Sequence, residues 1–175
     1  MKIAITGTPG TGKSSVCKIL KRHYPVIDLN KLIEKKKLYT GVDKERGSKI
    51  VDIGALIEHV THLNLKNTIV FDGHIAHYLP VDIVIVLRAS PSELRRRLDK
   101  QGFSEAKIKE NVEAEALDVI LVEAVERSDN VYEIDTSGKE VEEVAECVME
   151  IIKDPNKHRD RYKTGSVDWS EEVFG

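Results

Sequence analysis

"AITGTPGTGKSS", residues 4–15, sets three glycines, a proline and a lysine between an apolar run and a helical pattern. The spacing Gly7-x-x-x-x-Gly12-Lys13-Ser14 fits the Walker A pattern. Residues 2–6, KIAIT, predict a short buried strand, and SSVCKILKRHY predicts a helix with Val16, Ile19 and Leu20 on one face. Strand, loop and helix in that order are the setting the motif needs. Glycines allow a tight turn whose successive N–H groups point inward and cradle phosphate oxygens. The helix starting near Lys13 adds its positive dipole end to the same point. Lys13 is placed to meet the outer phosphates and the Ser14 hydroxyl to ligate Mg²⁺, so the stretch points to nucleoside triphosphate binding.

With 175 residues, 41% hydrophobic and 33% charged, the chain is expected to fold as one globular domain around a sizeable core. A formal net charge of -3 argues against a general nucleic-acid or membrane binder. No apolar run is long enough to span a bilayer, and the first strand leaves no room for a signal peptide. Cys17 and Cys147 lie in helical patterns and suit reduced thiols of a cytoplasmic protein. Further strands are predicted at VIDL (26–29), TIVFD (68–72), DIVIVL (82–87) and NVYEID (130–135). Helical patterns separate them at 28–37, about 50–64, about 91–101, about 104–127 and about 138–153, with Ser90 and Pro91 marking one start. Alternating strands and helices predict an α/β fold, a parallel sheet with helices on both faces. Beyond residue 153 the apolar period stops, and residues 154–175 are expected as a tail lying on the surface or free.

A phosphate loop needs a second acidic group to hold Mg²⁺ or its water. Asp72 closes the apolar run TIVFD and is the candidate, with His74 two residues on. His59/His62 and His74/His77 have the i, i+3 spacing of a metal pair, but no third ligand accompanies either, so both fit structural histidines better. The basic residues between Lys153 and Lys163 are diluted by Asp154 and Asp160 and fit a solvated segment.

The P-loop, the D-x-H group Asp72-Gly73-His74 and the stretch VLRASPSELRRRLDKQGFSEAKIKENVEAE together resemble the adenylate kinase isoenzyme 6 family, small nucleoside monophosphate kinase-like proteins linked to ribosome assembly. The resemblance covers residues 1 to about 152. It implies a P-loop kinase core with sheet order 2-3-1-4-5, a kinase domain over 1–153, a monophosphate-binding arm at about 30–53 and a short lid at about 100–110. It places Gly7, Gly10, Thr11, Gly12, Lys13, Ser14 and Ser15 around ATP phosphates, and Arg97, Lys100 and Gln101 on the lid side of the nucleotide. It makes Lys13, Asp72 and His74 the catalytic group, with Ser14 and Asp72 holding Mg²⁺. It further implies phosphoryl transfer from ATP to AMP or a similar monophosphate, ATPase activity, and a small-subunit ribosomal protein as partner in late ribosomal RNA maturation, with RNA contacted through that partner. The alternative is a non-kinase ATPase switch that grips and releases the protein partner. One departure stands out: adenylate kinases carry two arginines four residues apart on the helix into the lid, and here Arg97 is followed by Gln101.

Overall fold

The computed structural model describes residues 1–63 and 66–174. Among the described residues, seven strands and eight α-helices follow in the order β1 (Lys2–Thr6), α1 (Lys13–Leu20), β2 (Val26–Asp28), α2 (Leu29–Lys36), β3 (Tyr39–Asp43), β4 (Ser48–Val51), α3 (Ile53–Thr61), β5 (Ile69–Asp72), β6 (Ile83–Arg88), α4 (Pro91–Lys100), α5 (Glu105–Ala116), α6 (Val119–Arg127), β7 (Val131–Asp135), α7 (Val141–Lys153) and α8 (Ser170–Phe174). Five of the strands form a parallel sheet in the order β2-β5-β1-β6-β7. Numbered among themselves, these five run 2-3-1-4-5, the expected P-loop kinase arrangement.

Period-two burial on both faces explains why the strands read as unbroken apolar runs. Ile3, Ile5, Ile83, Ile85 and Leu87 face one layer, where α1 and α7 supply Val16, Leu20, Val148 and Ile151. Ala4, Phe71, Val84 and Val86 face the other layer, with Leu29, Leu56 and Leu121 from α2, α3 and α6. A smaller cluster of Leu94, Leu98, Ile108 and Val112 joins α4 to α5. The Ser90 hydroxyl caps α4 at the Glu93 amide with Pro91 in first position, and α7 opens on a reciprocal capping box between Glu140 and Glu143.

Two expectations are corrected, and of the two alternatives for the tail the structure has the one lying on the surface. The helical pattern at 104–127 is two helices, because Asp118 adopts a left-handed conformation (φ 56°) between α5 and α6. Residues 39–43 and 48–51 form an antiparallel hairpin, so the helix expected from about 50 starts at Ile53, where the Asp52 carboxylate caps the Ala55 amide. The segment after Lys153 is tied down and not free. Tyr162 is buried against the first core layer, its carbonyl accepts from the Glu133 amide at 2.9 Å, and its hydroxyl donates to Glu150 at 2.9 Å.

Candidate functional site

The C-terminal end of β1 runs directly into the loop at the sheet's centre, where parallel sheets present their ligand crevice. Two glycines fix the loop's shape. Gly7 (φ 145°) passes so close to β6 that a Cβ would strike the Leu87 carbonyl. Gly12 (φ 95°) is the left-handed residue from which α1 starts. The Lys13 ammonium folds back and donates to the Gly7 and Thr8 carbonyls at 2.7 and 3.0 Å. Burial lowers the Lys13 pKa to about 8, against the opposing pull of Asp72 and Glu115. Ser14 and Ser15 are exposed at the head of α1.

A cleft of about 450 Å³ opens beside the loop, and Lys13, Ser14, Asp72 and His74 all line it. Asp72 is buried at the end of β5, in register with Ile5, whose carbonyl accepts from the Gly73 amide at 3.2 Å. Burial raises its pKa, while Lys13, Ser14 and Cys17 draw it back down. His74 is exposed on the cleft wall, in surroundings concave enough to disfavour imidazolium, and Lys13 and His77 add repulsion in the same direction. Its neighbour His77 is structural: the ring bridges Thr6 Oγ1 and Glu123 Oε2, each at 2.9 Å. Nothing in the local pattern marks Asp28, yet it lines this cleft as the cross-strand partner of Asp72. Asn30 and Phe103 are further lining residues that the sequence pattern did not single out.

A second cleft of about 700 Å³ lies on the other side of the loop, between α4 and the turn after β7. Gly10, Thr11, Arg97, Lys100 and Gln101 line it together with Thr136 and Gly138. Arg97 is held ready-made there, paired with Glu93 at 3.0 Å and donating to the Thr136 hydroxyl at 3.0 Å and carbonyl at 3.2 Å. Arg95 turns away to Glu105. The segment 100–110, expected as a lid, is the end of α4, a short turn over 101–104 and the first half of α5. Gln101 lines both clefts from that turn.

Behind the loop, Arg88 at the end of β6 is 1% exposed and surrounded by carboxylates. It donates to Glu115 at 2.7 Å, to Glu133 at 2.5 Å and to Asp118, which accounts for the left-handed break before α6. Glu115 also accepts from the Thr8 hydroxyl at 2.6 Å, joining the phosphate loop to α5.

The family model described as an AAA domain matches residues 3–118. Over 99% of this chain, a "Putative adenylate kinase" of Methanosarcina barkeri is 46% identical along its whole length, and one of Archaeoglobus fulgidus is 45% identical over 94% of its length. The chain belongs to this family of archaeal proteins. The deoxyadenosine kinase of M. mycoides solved with bound dATP matches 87% of the chain at a TM-score of 0.54 and 20% identity, a likeness of fold. Among the described residues, no helix is long and apolar enough to cross a membrane.

Proposed function

We propose that this chain is a Mg·ATP-dependent nucleotide phosphotransferase of the cytoplasm, passing the γ-phosphoryl group to AMP or another nucleoside monophosphate and also hydrolysing ATP. The observation that carries the reading is the meeting of Lys13, Ser14 and Asp72 in one cleft at the glycine loop, in a chain related along its full length to proteins named as adenylate kinases. Gly7, Gly10, Thr11 and Gly12 shape the loop, and Ser15 with the first amides of α1 receives phosphate oxygens. The Ser14 hydroxyl and the Asp72 carboxylate are hard oxygen donors lining the same cleft and would hold Mg²⁺, which would supply positive charge against the charge developing on the phosphates. Arg97, Lys100 and Gln101 line the second cleft, which suits the adenosine half of ATP. The arm at 30–53, comprising most of α2 and the β3–β4 hairpin, receives the acceptor. His74 orients the attacking oxygen.

The reading is tested by following ADP and released phosphate separately, with and without AMP. Transfer gives AMP-dependent ADP, and hydrolysis gives phosphate in its absence; neither product would refute it. His74→Ala is expected to keep ATP affinity within a few-fold while turnover falls about 10²-fold, the scale of a positioned acid–base group. A parallel loss of affinity would make His74 a structural residue.

The turn over 101–104 carries no arginine, and Arg95 is committed to Glu105. That favours a second reading, in which slow turnover times the grip on a small-subunit ribosomal protein during ribosomal RNA maturation. Gln101→Arg separates the two. A guanidinium at this position, which borders both clefts, brings a fork of donors to the transferring phosphoryl group, so AMP-dependent ADP formation is expected to rise by about tenfold. An unchanged rate leaves the switch reading the stronger.

A further inference from the structure

Glu133 on β7 is buried, and its two carboxylate oxygens serve different partners. Oε1 accepts from the Arg88 guanidinium at 2.5 Å. Among the described residues both donors to Oε2 belong to Ser166, 33 residues further along the chain: the amide at 3.0 Å and the hydroxyl at 3.2 Å. The bonds continue inward without a gap. Arg88 donates to Glu115 at 2.7 Å, Glu115 accepts from the Thr8 hydroxyl at 2.6 Å, and the Thr8 carbonyl accepts from the Lys13 ammonium at 3.0 Å. The outer end of this chain is lightly held. From Lys163 to Glu172 no residue is buried, and segments with so little apolar burial open at low free energy. When Ser166 lifts off, Oε2 exchanges two fixed donors for mobile water, and the carboxylate that aims Arg88 loses part of its orientation.

We propose that residues 164–172 form a strap whose seating is sensed at the phosphate loop, so that strap docking and nucleotide binding strengthen each other. The inference rests on the nucleotide-binding reading of that loop. Between strap and loop stand Glu133, Arg88 and Glu115, all buried, so water neither screens nor replaces the bonds among them. Such a packed network changes between discrete arrangements and carries the change along its length. A nucleotide that orders the loop fixes Thr8, Glu115 and Arg88 in turn, and a fixed Arg88 holds Glu133 where Ser166 meets it. Linkage makes the effect reciprocal: seating tightens nucleotide binding by the factor with which nucleotide tightens seating.

Two variants of the full chain test this at an exposed position. Ser166→Asp sets a carboxylate against Glu133, whereas Ser166→Ala removes the hydroxyl and leaves the amide bond in place. Mg·ADP is the probe, so that turnover does not enter. By calorimetry the Kd for ADP is expected to rise about fivefold in Ser166→Asp, the low end for coupled sites, and by less in Ser166→Ala. Amide hydrogen exchange over 166–172 is faster in Ser166→Asp, and in the parent ADP slows exchange of the Ser166 amide by about the same fivefold factor. Because α8 also rests on α4 and α5, a double-mutant cycle with Thr8→Val separates the two routes. With the relay cut at the loop, the Ser166→Asp effect on Kd shrinks to within about twofold. Equal ADP affinity in the parent and Ser166→Asp overturns the proposal, as does a strap that exchanges equally in both. A full Ser166→Asp effect persisting beside Thr8→Val overturns the relay. A parent chain that binds no ADP refutes the nucleotide reading and this inference with it, whereas ADP binding without coupling refutes the inference alone.

Discussion

Lys13→Ala brings nucleotide turnover at least about 10³-fold below the parent in a steady-state assay, the upper range for removing a preorganised group that meets developing charge. In the structure the ammonium is stored inside the loop, bonded to the Gly7 and Thr8 carbonyls. A bound triphosphate is expected to offer phosphate oxygens in place of those carbonyls. Affinity falls less than rate, because the loop amides and the N-terminus of α1 remain. The pH dependence has a definite sign. With its pKa lowered from 10.5 to about 8 by burial, folded Lys13 binds fewer protons than the unfolded chain between those values, so its contribution makes stability rise with pH across that window. Bound phosphates restore the ammonium, so nucleotide binding near pH 8 takes up protons. Calorimetry in buffers of different ionisation enthalpy measures that uptake, and the alanine variant loses it. Turnover at the parent rate would remove Lys13 from the chemistry altogether.

The same stretch explains why much of the fold was legible. A phosphate loop needs positive-φ residues at fixed offsets, so Gly7 and Gly12 are visible in the letters themselves. The sheet was legible because its strands are buried on both faces and admit only apolar residues, as at Ile83–Leu87. What escaped is what long-range pairing decides. The break at Asp118 comes from Arg88, thirty residues away in sequence, and no local pattern in EAKIKENVEAEALDVILVEAVER announces it. Asp28 looked like an ordinary strand end until register set it beside Asp72. The β3–β4 hairpin has exposed positions along both strands and carries little apolar alternation to read. After residue 153 Tyr162 is the one buried apolar residue among those described, and the other ties are polar, from Tyr132 to Pro155, Arg159 to Asn130 and Ser166 to Glu133, so no apolar period appears.

Arg88→Met costs about 3–5 kcal/mol of stability, the range for removing one partner from a buried charge network. At roughly 2–4 °C per kcal/mol for a chain this size, Tm falls on the order of 10 °C. Methionine fills much of the space, so the loss is electrostatic: Glu115 and Glu133, both 2% exposed, keep their burial and lose their counter-ion. Each is then a buried carboxylate whose desolvation no ion pair offsets. Adding Glu133→Gln recovers part of the loss at neutral pH, because it removes one orphaned charge outright. The damage also reaches the loop. Glu115 accepts from the Thr8 hydroxyl at 2.6 Å and the Ala89 amide at 3.1 Å, and without Arg88 its carboxylate keeps those two donors but loses the guanidinium bond at 2.7 Å that helps hold it in place. ATP affinity is therefore expected to weaken in the single variant well below its melting range, measured at a temperature where both proteins are folded. Equal Tm values across pH 5 to 8 would mean that the three carboxylates around Arg88 find other partners, and the network would lose its place as the support of the phosphate loop.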